Sequence, residues 1–504
     1  MIQTFIVIGY LCLLLGLGYL SSRFFRGSSN DYFVASRSIG PVVLFMSIFG
    51  TTMTAFALIG STGESYRVGI GTYGKIASWS TLIHSACFFL IGLPLWSLGK
   101  RNGFHTQIEF FRARFESSKF GYVLFPILIG LIIPYLLIGL MGAGSAMQGV
   151  TRGAFPELFP ETNGAIPAWL TSLVIAGVVL YYIFAGGVRS AAWANTFQTI
   201  VFMIMGFLAF YMISTKLGGL EAASAMADAE KAVRAGNIGE LQFFSYFLIP
   251  LSVGMFPHLF QNCLTAKSSK TFRLTFVAHP IAIMLTWIPC ILIGLWATGA
   301  VMPDGVTKIV PDGTNPNSVL GIMVGKLTSP VIGGLVTAGI LAAIMSSLDS
   351  QFVAVGTMFT KDIVVHSFGA DKFSEKQMLW IARGFVTTIV VVTYLFTLVE
   401  PRQVFSLGIW CFSGFAGLFP LVFAAVYWKR ATKAGAYAAV IGGALTWFLL
   451  FQASGYGANR SFLIGGAMPV VFIFLACAVS MIVVSLLTKT PSKETMEKFF
   501  PAKS

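Results

Sequence analysis

The chemistry of this sequence is concentrated around Asp349, read as the one acidic residue well inside an apolar run, in Leu341-Ala-Ala-Ile-Met-Ser-Ser-Leu-Asp-Ser-Gln351. A carboxylate in hydrocarbon is costly unless a charge or a hydrogen-bond network compensates it, so a group placed there is read as functional. At helical spacing Ala343, Ser346, Ser347 and Ser350 form one stripe, and Asp349 follows Ser346 by three residues. Hydroxyls and carboxylate can therefore converge on one cavity. Oxygen ligands of this kind suit a hard cation such as Na+. The structural alternative is that the serines bond back to the preceding turn. A second polar run, Trp193-Ala-Asn-Thr-Phe-Gln-Thr199, puts Asn195 and Thr199 on one helical face. Uncharged polar groups there also serve merely to link membrane helices. Glu64, Arg67 and Glu109 read as gating or interfacial residues rather than ligands.

Two elements are built to position such groups. The second apolar run contains Gly50, Thr51, Thr52, Thr54 and Gly60, and the seventh contains Pro250, Gly254 and Pro257. Each is predicted to break its hydrogen-bond ladder near the membrane midplane. Interrupted helices at matching positions of two five-helix halves point to an inverted-repeat transporter, whose freed carbonyls and amides bind ion and solute. Ordinary Gly/Pro kinks at helix contacts are the plainer reading.

The rest of the chain supplies the setting. Of its 504 residues 56% are hydrophobic and 10% charged, too apolar for a soluble protein. About thirteen runs are long enough to cross a bilayer as helices, near 2–22, 41–62, 75–97, 120–148, 165–185, 192–214, 242–266, 275–300, 329–357, 378–398, 403–428, 434–453 and 464–487. The first lacks a small-residue cleavage site and is followed by Arg23 and Arg26, so it reads as a retained helix with its amino end outside. This topology puts 22 of the 33 basic residues on the cytoplasmic side, from Arg23, Arg26 and Arg189 through to Lys503 in the tail. The net charge of +14 is then mostly topology, and no nucleic-acid partner is expected. Six single cysteines and five scattered histidines offer no metal or disulfide pattern, and no enzyme motif is present. The stretches 215–241, with a short amphipathic helix over 220–234, and 301–317 read as lids.

With these motifs the chain resembles the sodium:solute symporter family over nearly its whole length. The resemblance rests on Ala185-Gly-Gly-Val-Arg-Ser-Ala-Ala-Trp193, on the 341–351 segment followed by Thr360-Lys-Asp-Ile363, and on Gly60-Ser-Thr-Gly-Glu-Ser-Tyr-Arg-Val-Gly69. Val188 departs from the family's usual Leu, Met or Phe. The resemblance implies an all-α membrane protein with a LeuT-type 5+5 inverted repeat, one helix before it and two after. The repeats would run over about 41–214 and 242–428 of a single transporter domain, 1–504. It implies a sodium site on the carbonyls of Gly50, Met53 and Ala343 and the hydroxyls of Ser346 and Ser347. A solute cavity is implied at Phe56, Ala57, Tyr135, Gly254, His258 and Gln261. Members with a second sodium site have an aspartate where this chain has Asn195 and a serine where it has Asp349. Asp349 with Ser346, Ser350 and Asn195 is therefore expected to rebuild a second cation site or to carry a proton.

The resulting expectation is a non-enzymatic, sodium-coupled importer of a small organic solute in the cell's plasma (inner) membrane, with a cytoplasmic carboxyl end and no cofactor beyond Na+ as coupling ion. The aromatic stretch Gly254-Met-Phe-Pro-His-Leu-Phe-Gln261 and the anion preference of half-helix amino ends lean towards a monocarboxylate. An amino acid, pantothenate or a sugar stays open, as does a transporter-like sensor.

Overall fold

The structure, a computed structural model, describes residues 2–22, 37–234, 237–399 and 403–501. Arg23, Arg26 and Lys503 lie outside the described residues, and so do the side chains of 185–190, including Arg189. Among the described residues the chain is helical, with three isolated backbone bridges and no strand.

In chain order the helices are α1 (Ile2–Ser22), α2 (Pro41–Thr52), α3 (Phe56–Val68), α4 (Gly71–Asn102), α5 (Gln107–Arg114), α6 (Phe120–Val150) and α7 (Ala168–Lys216). After a long connection come α8 (Glu240–Gly254), α9 (Pro257–Thr265), α10 (Ser269–Trp296), α11 (Val319–Leu327), α12 (Pro330–Phe368) and α13 (Glu375–Val399). The chain closes with α14 (Val404–Tyr427), α15 (Lys433–Ala453), α16 (Pro469–Leu487) and the short α17 (Lys493–Phe499).

Nine of these are single helices long and apolar enough to span a membrane, and the bent pairs α2–α3 and α8–α9 bring the number to eleven among the described residues. Ile2–Leu17 and Ala168–Tyr181 are shorter apolar helices at the places of two further expected spans. The fifth and sixth expected spans share one continuous helical backbone, α7, of 49 residues. At 1.5 Å per residue 49 helical residues measure ~74 Å, more than twice one hydrocarbon thickness.

Both breaks arise from local chemistry. In the first, Met53 leaves the helix (φ −87°, ψ 85°) while its N–H still reaches the carbonyl of Phe49. Thr54 Oγ1 then takes the N–H of Phe56 at 3.0 Å, and the Thr54 carbonyl starts the next helix by accepting from Ala57 and Leu58. The axis turns by 53°, and the carbonyls from Gly50 to Met53 fall off the main-chain ladder. The restart, Phe56–Gly60, is wound as a π turn, a form common at functional sites. In the second break a tight 3₁₀ segment, Tyr246–Gly254, carries Pro250. Phe256 is extended, and Pro257 opens α9 at its first position, where its missing N–H costs nothing. The turn there is 51°.

Helices α12 and α14 lie deepest in the bundle, each 83% buried over its most apolar stretch, against 28% for α13, α15 and α16, which face the surroundings. Small residues let backbones close on α12 and on each other. A methyl at Gly139 of α6 would come 2.7 Å from Leu348, and one at Gly149 would come 2.9 Å from the backbone of Gly321 in α11. The single amphipathic helix expected over 220–234 is instead two short turns, Leu220–Ala225 and Ala229–Ala232. Asp228 explains the interruption, because its carboxylate caps the second turn by accepting from the N–H of Glu230. The Lys231 carbonyl accepts the N–H of Ile70 at 2.9 Å, so this segment covers the α3–α4 turn.

Candidate ion and solute site

The first break faces the serine stripe of α12. Ser346 Oγ donates within hydrogen-bond reach of two carbonyls, Gly50 at 2.8 Å and Ala343 at 2.8 Å. One hydroxyl thus bridges an unladdered carbonyl of α2 and its own helix. With its proton turned aside, the hydroxyl and the two carbonyls present three uncharged oxygens at one point, a donor set that suits an alkali ion. Met53 is fully buried at the same break. Ser347 Oγ accepts from Gln351 Nε2 at 2.6 Å and lies near the Tyr135 hydroxyl, as does Thr54. Ser347 therefore lies between this cluster of oxygens and the candidate solute cavity.

Asn195 and Thr199 approach from α7. Thr199 Oγ1 bonds the Met46 carbonyl at 3.1 Å, and a methyl at Gly50 would strike that hydroxyl, so glycine is required there for α2 and α7 to touch. The Asn195 amide satisfies its neighbours when its nitrogen donates to the carbonyls of Ser346 (3.0 Å) and Ala191 (3.2 Å) and its oxygen accepts from Ser350 Oγ (2.8 Å). Ser350 also meets Thr51 Oγ1 at 3.1 Å. Ser346, Ser350 and Asn195 thus share one buried network. Asp349 is fully buried on the adjoining face of α12, in electrostatic contact with Tyr10 of α1.

Beside this cluster of oxygens lies a cavity of about 30 Å³, lined by Thr52, Phe56, His84, Tyr135, Phe256 and Trp287 among others. Of the residues expected there, Phe56 and Tyr135 line it, whereas Ala57, Gly254, His258 and Gln261 do not. The Ala57 carbonyl is taken by the hydroxyl of Ser61, and Gly254 backs onto the ring of Phe419. His258 stacks on Phe256 at 5.3 Å, and Gln261 donates to Thr357 Oγ1 at 3.1 Å. Two histidines that the sequence did not single out meet here: His84 lines the cavity, and His279 stands against His84. His84 and His279 stand 5.5 Å apart across α4 and α10, and Thr52 Oγ1 is 3.3 Å from His279 Nε2. Nearly two hundred positions separate these histidines, so no spacing rule finds them.

Asp349 is also not alone as a buried acid. Glu64 accepts from Lys75 Nζ at 2.9 Å and from Arg67 Nε at 3.0 Å. Asp362, carried by the unexpectedly long α12, pairs with Arg112 of α5 at 3.2 Å, and Arg112 Nη2 also donates to its carbonyl at 2.5 Å. Gln107 of α5 donates to the freed Met255 carbonyl of the second break at 3.0 Å. Helix α5 thus ties both central elements at one end of the bundle. Glu109, on the same helix outside the spans, accepts the His105 N–H at 2.6 Å with the His105 ring at 3.6 Å. Burial pushes the Glu109 carboxyl up, but the hydrogen bonds and charge of His105 outweigh it and hold the group below the usual carboxylate range.

An all-helical membrane bundle with two broken spans, the first facing a hydroxyl stripe, fits the class of secondary transporters. The family described as "Sodium:solute symporter family" matches residues 32–443, so this chain belongs to that family and is a sodium-coupled symporter of a small solute, not an enzyme. The sodium/proline symporter of Escherichia coli (strain K12) is 26% identical, with 100% of this chain and 96% of that protein covered. Sodium/proline symporter 2 of Staphylococcus saprophyticus is 25% identical, covering 97% and 94%. In fold, a Na+-coupled sialic acid symporter in a substrate-bound outward-open state matches with a TM-score of 0.74 at 18% identity, over 98% of this chain and 99% of that one. A nucleobase-cation-symport-1 family transporter in a closed conformation matches with a TM-score of 0.56 at 15% identity, over 94% and 98%.

Proposed function

We propose that this chain imports an amino acid with Na+, proline being the first solute to test, by alternating access between two repeats of about 41–214 and 242–428. The observation that carries the coupling is the Ser346 hydroxyl bridging the Gly50 and Ala343 carbonyls at the first break. Na+ would sit among those oxygens with Met53 and Ser347, and its release would free α2 from α12. Inward movement of one charge supplies about 2.3 kcal/mol per 100 mV. Asp349, with Ser350 and Asn195, is assigned to a second cation, Na+ or a proton. The orientation that fits the basic residues has the amino end outside, the carboxyl end cytoplasmic, and the plasma membrane as the site of action.

An amino acid is preferred here to the monocarboxylate towards which the sequence leans. One of the two grounds of that lean is the 254–261 stretch, of which Phe256 alone lines the cavity. Two relatives that align over nearly their full lengths are sodium/proline symporters. A compact cavity walled by Phe56, Tyr135, Phe256, Trp287 and Phe412 also favours a small solute with an apolar ring over a sugar. The test is radiolabelled uptake into proteoliposomes, with and without an inward Na+ gradient, over proline, other amino acids, monocarboxylates, pantothenate and sugars. Gradient-dependent proline uptake is expected; gradient-driven uptake of a monocarboxylate with none of proline would overturn the assignment.

A further inference from the structure

A second pocket, of about 50 Å³, lies at the Arg67 end of α3, the outer end by the placement of the basic residues, and is lined by Glu64, Arg67, Lys75, Gln403, Phe405 and Arg460 among others. Three cations there face one carboxylate. Both oxygens of Glu64 are already occupied, by Lys75 Nζ at 2.9 Å and by Arg67 Nε and Nη2 at 3.0 Å each. The remaining ammonium and guanidinium protons are left for another acceptor. The amino end of α14 opens onto the same pocket. Its cap, Gln403, makes no side-chain capping bond; Asn317 Oδ1 takes the Val404 N–H at 3.0 Å, and the following amides of Phe405 and Ser406 have no acceptor within the helix. Gln403 is 5% exposed, and its amide nitrogen has no hydrogen-bond partner. A buried donor left unmatched is costly, and it lies where a helix end already favours negative charge.

The pocket is separated from the solute cavity by a single pair of rings. Phe405 lines the pocket and Phe56 lines the cavity, and they stack at 4.9 Å. Lys75 Nζ sits 5.0 Å over the Phe405 face, so the charged pocket and the ring pair are in direct contact. We propose that this vestibule is a carboxylate-docking site, in which Arg67, Lys75, Arg460, the Gln403 amide and the amino end of α14 hold the solute's anionic group before it passes between Phe56 and Phe405. The proposal rests on the reading that the solute bears a carboxylate, as an amino acid does.

Acetate is the probe, because it carries the carboxylate without the rest of any solute. Saturation-transfer NMR on the purified full chain, with choline replacing Na+, is expected to show saturable acetate binding and none of acetamide. Gln403→Leu and Arg460→Gln should each weaken it about fivefold or more. Arg460 is exposed, so its substitution carries the test if the Gln403 variant does not fold. Absence of saturable binding, equal binding by both folded variants, a requirement for Na+, or displacement by equimolar chloride would each overturn the proposal. A failure of proline uptake leaves acetate binding unaffected, so the two assignments fail separately.

Discussion

Ser346 holds together two helices that otherwise have no reason to meet at a carbonyl. Replacing it with alanine leaves the Gly50 oxygen without its donor and removes one ion ligand, so the Na+ concentration for half-maximal uptake should rise about tenfold, ~1.4 kcal/mol, with less change in maximal rate. Ser347→Ala acts differently, because Ser347 also contacts Gln351 and Tyr135; it should raise the solute KM as well as the Na+ requirement. Asp349→Asn keeps the shape and removes the charge, and ion-to-solute stoichiometry from reversal potentials should fall by one cation; an unchanged value would remove Asp349 from coupling. Glu109 carries a pH dependence. Its folded-state pKa is depressed, so its contribution is present above the ordinary carboxylate pKa and is lost as pH falls through the lower, folded value. Acid should therefore loosen α5, and Glu109→Gln should flatten the acid limb of a thermal-stability profile.

At the scale of elements, the informative contact is between α5 and the end of α12. Arg112→Ala leaves the buried Asp362 carboxyl without its partner and should destabilise by roughly 3–5 kcal/mol, whereas removing both partners together should cost clearly less. Thermal unfolding of the two single variants and the double variant measures the difference; a double variant as damaged as the sum of the singles would refute a direct pairing. Because α5 also bonds the Met255 carbonyl at the second break, the same variants should expose that end of the bundle to thiol reagents at introduced cysteines. The two breaks were legible beforehand, because Gly, Pro and Thr weaken a helix by rules that depend on neighbours in sequence. The long continuous α7 and the α12 extension to Phe368 were not, since polar residues such as Asp362 look like a helix end until a partner from elsewhere accepts them.

Across the whole molecule, Na+ should stabilise the state in which α2 and α12 are joined. Raising Na+ to about 100 times its dissociation constant should add ~2.7 kcal/mol of apparent stability, choline should add none, and the Ser346→Ala/Ser347→Ala variant should lose the response. Sequence by itself determined that the chain lies in a membrane, that two spans are interrupted, and that a hydroxyl stripe runs along 343–350, because composition, apolar length and helical period are local properties. The family followed from motifs for the same reason. Only the tertiary structure decided that Ser346 reaches Gly50, that His84 faces His279, and that His258 and Gln261 lie outside the cavity lining. Those pairings join residues tens to hundreds of positions apart, and their geometry is set by how close small residues let the helices come, which no local pattern encodes.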